Sequence, residues 1–216
     1  MAELDGPRKT PAAGGAARQL VVLCHGLGAD GTDLIDLAGA WGQAVPNAAF
    51  ASPDAPFPHD AGFGRQWWSV ADRSPAATEA GVRRAAPFLH RFIDAELARL
   101  GLPADAYALM GFSQGAMMVL FAGLRRATPP RAILAFSGAL VAPASLAAEL
   151  THPAPVLLVH GEADEVVPAA RSHEAETALR AAGVKVESCF IPRLGHGIDQ
   201  TGLAMGGLAL QRAFAQ

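Results

Sequence analysis

The sequence predicts a single α/β domain with a mostly parallel central sheet and helices on both faces. Its 216 residues suit one domain of this class. Continuous apolar runs such as Gln19–Cys24 are typical of strands that are covered on both faces of a sheet. These runs alternate with segments of helical periodicity to the end of the chain, and such βαβα order requires a mostly parallel sheet.

The hydrophobic pattern places the elements of the N-terminal half in order. A strand at 19–24 leads through a glycine-containing turn to a helix at 32–43, in which apolar side chains recur at helical spacing. A short strand follows at 48–51. The next segment, 52–74, is rich in proline and too irregular for one element, so we predict a long loop of the kind that carries function.

The same alternation continues in the C-terminal half. Helical periodicity predicts four helices, at 76–100, 114–126, 168–182 and 198–214. Apolar runs predict four strands, at 107–110, 132–136, 156–160 and 184–190. Because catalytic groups in parallel sheets gather at the carboxyl ends of the strands, the chemistry is expected in the turns that follow these strands.

The first 17 residues differ from the rest in composition. They contain prolines and the pair Gly14-Gly15, which predicts a loose N-terminal arm or an edge element over 1–17. We interpret 18–216 as the main domain, since no linker or internal repeat interrupts it. The segments between its elements are short apart from the loop at 52–74, so no cap domain is expected.

Charge and composition exclude several classes of partner. Seventeen basic against 20 acidic side chains give a net charge of −3, and no basic run is present, so we expect no nucleic-acid partner. No apolar run approaches the roughly 18 residues of a membrane span, and the first residues lack a signal-peptide pattern, so a cytoplasmic location is expected. Cys24 and Cys189 lack metal-ligand spacing, so buried free thiols are predicted.

A sharp turn after the strand at 107–110 carries the first candidate for chemistry. Gly111-Phe-Ser113-Gln-Gly115 follows that strand and precedes an amphipathic helix. This context matches a nucleophile elbow, in which the two glycines allow the close backbone approach that a strained turn requires. Ser113 is therefore the predicted nucleophile, against the simpler interpretation of a structural turn serine.

A serine nucleophile needs a base within hydrogen-bond reach. His196 lies between Gly195 and Gly197 after the last apolar strand, where flexible backbone can bring its ring over a neighbouring strand end. The remaining histidines downstream of the serine fit structural positions better: His152, His160 and His173. His196 is the predicted base.

The acid that orients this base should precede it in the chain. Asp164 lies in the turn after the buried strand at 156–160, which makes it the preferred acid. Glu162 and Glu165 in the same turn, and Asp199 near the histidine, remain alternatives.

Two backbone amides are expected to bind the oxyanion that develops during acyl transfer. One is the amide of Gln114, directly after the nucleophile. The other comes from the turn His25-Gly-Leu27-Gly28 after the first strand, most simply the amide of Leu27. An H-G-x-G turn alone is a weak signal, but it is strengthened by its pairing with the elbow.

Taken together, these motifs resemble those of small carboxylesterases, lysophospholipases and acyl-protein thioesterases within the α/β-hydrolase superfamily. The resemblance is carried by His25-Gly-Leu-Gly-Ala-Asp-Gly31, the 53–68 loop, Gly111-Phe-Ser-Gln-Gly-Ala116, Gly161-Glu-Ala-Asp164 with Val167-Pro168, and Gly195-His-Gly197. It implies a Ser-His-Asp hydrolase that uses no cofactor and no metal. It also implies that four residues border the acyl site: Trp67, Trp68, Phe136 and Ser137. The two tryptophans could instead be core anchors under the loop.

The expected function is hydrolysis of short- to medium-chain carboxylic esters through an acyl-enzyme. This chain departs from the family pattern in having Trp68-Ser69 where many relatives have an aromatic-acid pair, which affects the expected substrate preference. An acyl-protein thioesterase or lysophospholipase would use the same residues, and a non-catalytic binding protein of the same fold is the rival from another class. We expect a small-molecule ester or thioester as partner, no stable membrane attachment and a possible homodimer.

Overall fold

A seven-stranded sheet forms the centre of the computed structural model, which describes residues 3–215. Its strand order is β1-β3-β2-β6-β7-β8-β9, and every neighbouring pair is parallel except β1 with β3. A separate antiparallel pair, β4 with β5, lies within the long loop. The strands are β1 (Arg8–Lys9), β2 (Gln19–Cys24), β3 (Ala48–Ala51), β4 (Phe57–Pro58), β5 (Arg65–Gln66), β6 (Tyr107–Phe112), β7 (Ile133–Phe136), β8 (Val156–Gly161) and β9 (Val186–Ile191).

Six helices connect these strands within the described residues. They are α1 (Leu37–Ala44), α2 (Pro75–Leu100), α3 (Gln114–Gly123), α4 (Pro143–Glu149), α5 (Ala170–Ala181) and α6 (Gln200–Phe214). Helix α2 begins at the Ser74 N-cap, whose hydroxyl accepts a hydrogen bond from the Ala77 amide, and ends at Gly101 with a φ of 67°.

The two faces of the sheet pack against different helices. Successive side chains of a strand point to opposite faces, so Leu20 and Val22 of β2 join a core with α2, α3, α4 and α5. Val21 and Leu23 join a second core with α1 and α6. Burial on both faces explains the continuous apolar runs and confirms the predicted α/β class.

The first helix begins later than its hydrophobic pattern predicted. Turns occupy 31–36, and α1 starts only at Leu37. Asp30 holds the preceding turn, because its carboxylate accepts hydrogen bonds from both the amide and the hydroxyl of Thr32. A short polar side chain that bonds nearby backbone in this way competes with helix formation.

Four other elements differ most from the sequence-based expectations: α4, β4, β5 and α3. Helix α4 was not predicted, because it has only seven residues and Leu146 is its one buried side chain. The β4–β5 pair was likewise hidden in the proline-rich loop, and α3 ends three residues before the predicted position at 126. Short elements of this kind leave little periodicity in the sequence.

The order of the strands opens a crevice at one place. After β2 the chain adds β3 on one side, and β6 later pairs on the other side of β2. The segments that leave β2 and β6 therefore diverge at the carboxyl ends of these strands, which is where ligands bind in open α/β sheets.

Candidate active site

Ser113 occupies a strained turn between β6 and α3. Its φ is 56° and its ψ −118°, a conformation that non-glycine residues rarely adopt, and its amide donates to the Phe136 carbonyl at 2.9 Å. A side chain on Gly111 would overlap the backbone of Gly115, and one on Gly115 would overlap the Cys24 carbonyl oxygen. Both glycines are thus required by the close approach of β6, α3 and the end of β2.

The turn after β2 lies directly against Ser113. A Cβ added to Gly26 would be 3.3 Å from the Ser113 Cβ. His25 holds this turn in place, because the Ala55 amide donates to its Nε2 at 3.0 Å and its Nδ1 then donates to the Gly26 carbonyl at 2.7 Å. Burial lowers the pKa of His25, which favours the neutral ring that this pattern requires.

Asp164 and His196 are brought together from the turn after β8 and the loop after β9. The Nδ1 of His196 lies 2.7 Å from the Oδ2 of Asp164, whose side chain is fully buried. The His196 ring also packs on the ring of Phe112, the residue before Ser113, with 4.8 Å between centroids. With Nδ1 directed at the carboxylate, Nε2 is the nitrogen left to exchange a proton.

The Asp164 carboxylate is fixed and ionised by its donors. Its Oδ1 accepts hydrogen bonds from the amides of Val166 at 2.9 Å and Val167 at 2.8 Å. Burial raises the pKa of Asp164, but the hydrogen bonds from His196, Val167 and Val166 together hold it below the usual value. The buried group therefore remains a carboxylate at neutral pH and can orient a histidine.

The two residues that would supply the oxyanion amides lie at the serine cleft. Leu27 and Gln114 line it together with Ser113. Within residues 3–215, neither of their amides donates a hydrogen bond to backbone or side chain outside the helices and strands. The Gln114 side chain fastens the long loop to the start of α3, because it accepts from the Trp67 amide at 2.9 Å and donates to the Trp68 carbonyl at 2.8 Å.

The cleft at Ser113 has a volume of about 400 Å³ and mainly apolar walls. Trp68 and Val70 form the wall from the long loop, and Met117 comes from α3. The turn after β8 contributes Val166, which is 67% exposed and so stands at the mouth of the cleft. This volume lies in the lower part of the range typical of small-molecule sites.

Only some of the predicted acyl-site residues lie on this wall. Trp68 does, whereas Trp67 is fully buried and its indole donates to the His25 carbonyl at 3.0 Å. Phe136 is also fully buried and packs against Trp41 in the second core. Ser137 is buried with a φ of 50°. We therefore correct the predicted border: Trp67 and Phe136 anchor the core, and Ser137 does not line the cleft.

His160 was interpreted from the sequence as a structural strand residue, yet it contacts the predicted acid. Its Nε2 lies 3.2 Å from the Asp164 Oδ2. The periodicity of β8 gives no sign of this contact. The signal that could have found it is the spacing of four residues between a strand-end histidine and the aspartate of the following turn.

Among the described residues, no group of three or more His, Cys, Asp or Glu side chains is arranged so that it could hold a metal ion. No helix in 3–215 combines the length and the hydropathy needed to cross a bilayer.

The sheet topology, the strained serine turn and the Asp-His pair at the carboxyl ends of the strands define an α/β-hydrolase. Residues 9–206 match the phospholipase/carboxylesterase family. The chain belongs to that family, and it is a serine hydrolase of the carboxylesterase type.

Relatives and solved structures agree with this assignment. Esterase YpfH of Escherichia coli K12 is 31% identical over 183 residues, which cover 85% of this chain and 78% of the relative. Acyl-protein thioesterase 1 of Schizosaccharomyces pombe is 34% identical over 165 residues, 70% of this chain and 71% of that protein. The crystal structure of esterase PE8 is 40% identical and superimposes with a TM-score of 0.93, covering 98% of this chain and 100% of the other.

Proposed function

We propose that this protein hydrolyses short- to medium-chain carboxylic esters through an acyl-enzyme on Ser113. His196 is the base and Asp164 the acid that orients it. The observation that carries the proposal is the 2.7 Å contact between His196 Nδ1 and Asp164 Oδ2, beside a strained serine turn that opens into a cleft. These are the parts that acyl transfer requires.

The reaction proceeds in two matched halves. Ser113 Oγ attacks the substrate carbonyl while His196 Nε2 takes its proton, and the oxyanion accepts hydrogen bonds from the amides of Leu27 and Gln114. The protonated His196 then gives its proton to the departing alcohol or thiol. Water repeats the sequence on the acyl-enzyme and releases the acid. Asp164 stabilises the imidazolium in both halves without itself taking the proton.

The expected chain length follows from the cleft. Its wall is open to solvent, and Trp68, Val70 and Met117 offer an apolar surface of limited extent for the acyl group. Short and medium acyl chains can be accommodated there without an enclosing cap.

A thioesterase with the same residues is the second candidate. Relatives named acyl-protein thioesterase 1 from S. pombe and Neurospora crassa are 34% and 30% identical to this chain. A relative in rice, 30% identical over 203 residues, is named a probable inactive carboxylesterase. A non-catalytic binding protein of the same fold is therefore a further alternative. The presence of Ser113, Asp164 and His196 favours the enzyme.

Hydrolysis of p-nitrophenyl esters from acetate to palmitate, with a matched thioester, tests the proposal. We expect turnover that peaks at short or medium chains in the wild type and falls by several orders of magnitude in Ser113→Ala, since the nucleophile is removed. Ser188→Ala is a matched control, because Ser188 lies on β9 and bonds Glu176 away from the cleft. Undiminished hydrolysis by Ser113→Ala would refute the proposal, and a thioester preference at equal acyl length would favour the second candidate.

A further inference from the structure

A second histidine meets the same carboxylate oxygen that orients His196. His160 lies on β8, and its side chain and that of Asp164 are both fully buried. The Nε2 of His160 is 3.2 Å from Asp164 Oδ2, while the Nδ1 of His196 is 2.7 Å from that oxygen. The proposed reaction makes use only of His196.

The hydrogen on the His160 ring can be located from its neighbours. Nε2 is 2.8 Å from the Val167 carbonyl oxygen, which can only accept, so Nε2 carries a hydrogen and donates. The opposite edge of the ring is held by α5, where Ser172 Oγ lies 2.7 Å from Nδ1 and 3.2 Å from the Gly138 carbonyl. The ring is therefore fixed on both edges, with its donor directed at the turn that bears Asp164.

Three hydrogen bonds hold the Asp164 carboxylate: the Val166 and Val167 amides donate to Oδ1, and His196 Nδ1 binds Oδ2. The Nε2 of His160 lies 3.2 Å from Oδ2 as a close polar contact, while its hydrogen is donated to the Val167 carbonyl. A rigid, buried ring thereby holds the Val167 peptide and places a polarised N–H beside Oδ2. His160 also bonds the carbonyl of Val167, whose amide binds the other carboxylate oxygen.

We propose that His160 is a positioning residue for the acid of the Ser-His-Asp triad: it holds the Val167 peptide, and through it the Asp164 carboxylate, in the orientation that His196 requires. This inference rests on the proposed function, because it gives His160 a role through Asp164. The ring's contact with α5 is to a neutral hydroxyl, and within residues 3–215 the one charged group in contact with the ring is Asp164 itself.

Two amide substitutions separate this role from a merely structural one. In His160→Gln, the amide nitrogen reaches the position of the ring Nε2 and keeps a donor at the Val167 carbonyl, beside Asp164. In His160→Asn, which is one methylene shorter, the amide reaches only the position of Nδ1 and keeps the contact with Ser172. We expect kcat to fall on the order of tenfold in His160→Asn with KM unchanged, and to recover to within a few-fold of wild type in His160→Gln.

The pH profile of kcat/KM gives a second readout. Without the His160 N–H, whose nitrogen lies 3.2 Å from Oδ2, the charge on that oxygen is less offset and attracts the protonated His196 ring more strongly. The acid limb should therefore move to higher pH in His160→Asn and return in His160→Gln. Leu179→Ala, a buried residue of α5 away from the cleft, controls for lost stability and should leave the acid limb in place. His173→Asn, on an exposed histidine of α5, controls for the type of substitution.

The outcomes are distinguishable from failure of the proposed function. Asp164→Asn is measured in the same assays. If it keeps full turnover, the proposed triad fails. If Asp164→Asn is inactive while His160→Asn and His160→Gln share the wild-type kcat and acid limb, or are impaired equally, the positioning role is overturned and the triad stands.

Discussion

Ser113 shows how one residue's geometry depends on its neighbours. Its positive φ is unfavourable for a serine, so the surrounding backbone must hold it. Gly111 and Gly115 make this possible, because they let β6, α3 and the end of β2 approach more closely than any side chain would permit. The hydroxyl is thereby presented to the cleft at the start of a helix.

Replacing Gly115 by alanine should cost both stability and activity. The added Cβ would overlap the carbonyl oxygen of Cys24, and backbone cannot move aside as a flexible side chain can. We expect a loss of about 1–3 kcal/mol in the free energy of unfolding and a fall in ester hydrolysis of tenfold or more. Denaturant unfolding and ester assays measure the two effects. Gly39→Ala is the control, because a Cβ there meets nothing within 4 Å, and it should leave stability unchanged or raise it. Equal stability and equal activity of the two variants would contradict the predicted overlap at Gly115.

Some residues of the candidate site could be predicted from the sequence, and others could not. A local motif with a steric reason singles out Ser113 and its glycines, and chain order singles out Asp164 and His196. The contact of His160 with Asp164 depends on the direction of a side chain in the turn after β8. The hydrophobic pattern of the sequence does not indicate that direction. Trp67 and Trp68 are adjacent in the chain, yet one is a core anchor and the other a cleft wall, and only packing decides between them.

At the scale of the elements, a buried ion pair fastens the N-terminal segment to the domain. Strand β1 pairs with β3 at the sheet edge, and its Arg8 donates two hydrogen bonds to Glu96 of α2, whose side chain is only 3% exposed. Arg99 binds the other carboxylate oxygen at 2.6 Å. Burial raises the pKa of Glu96, but the two arginines lower it by more, so the group is ionised in the folded protein.

Arg8→Gln should therefore destabilise the protein near neutral pH. A buried carboxylate that loses one partner costs about 1–3 kcal/mol. Because the pKa of Glu96 is lowered on folding, its contribution is present above the ordinary pKa of a glutamate and is lost as the pH falls through the folded value. Unfolding midpoints of wild type and variant should thus differ at about pH 7 and converge only as the pH falls below about 4. Arg212→Gln, which removes an exposed ion pair with Glu187, should change the unfolding midpoint little and serves as the control. A loss of stability in Arg8→Gln that does not depend on pH would contradict this explanation.

Long elements could be predicted from the sequence because burial on one or both faces leaves a repeating pattern. Strand β2 and helix α2 have both a pattern and clear end signals, such as Ser74 and Gly101. The start of α1 could not be predicted, since the Asp30 side chain competes for the backbone there. Helix α4 has too few buried residues to leave a pattern.

The whole molecule is built on one sheet with two cores. Trp41 lies in the core formed with α1 and α6, while Trp67 lies in the core on the other face. Both cores share the strands of the same sheet, so neither face can be exposed without disrupting the other. We infer that the main domain folds as one unit.

Tryptophan fluorescence can test this cooperativity. Unfolding of Trp41→Phe is followed through Trp67 and Trp68, and unfolding of a Trp67→Phe, Trp68→Phe double variant through Trp41. In each variant we expect the fluorescence midpoint to coincide with the midpoint measured by far-ultraviolet circular dichroism. Two separated transitions would show that the faces unfold independently.

The central claim is that Ser113 is the nucleophile of a Ser-His-Asp hydrolase. The most direct measurement is intact-protein mass spectrometry after reaction with a fluorophosphonate, followed by peptide mapping. The account predicts one phosphonyl group on Ser113 in the wild type, much slower labelling of His196→Ala, and no labelling of Ser113→Ala. A wild-type protein that stays unlabelled, or a label on another serine that persists in Ser113→Ala, would contradict it.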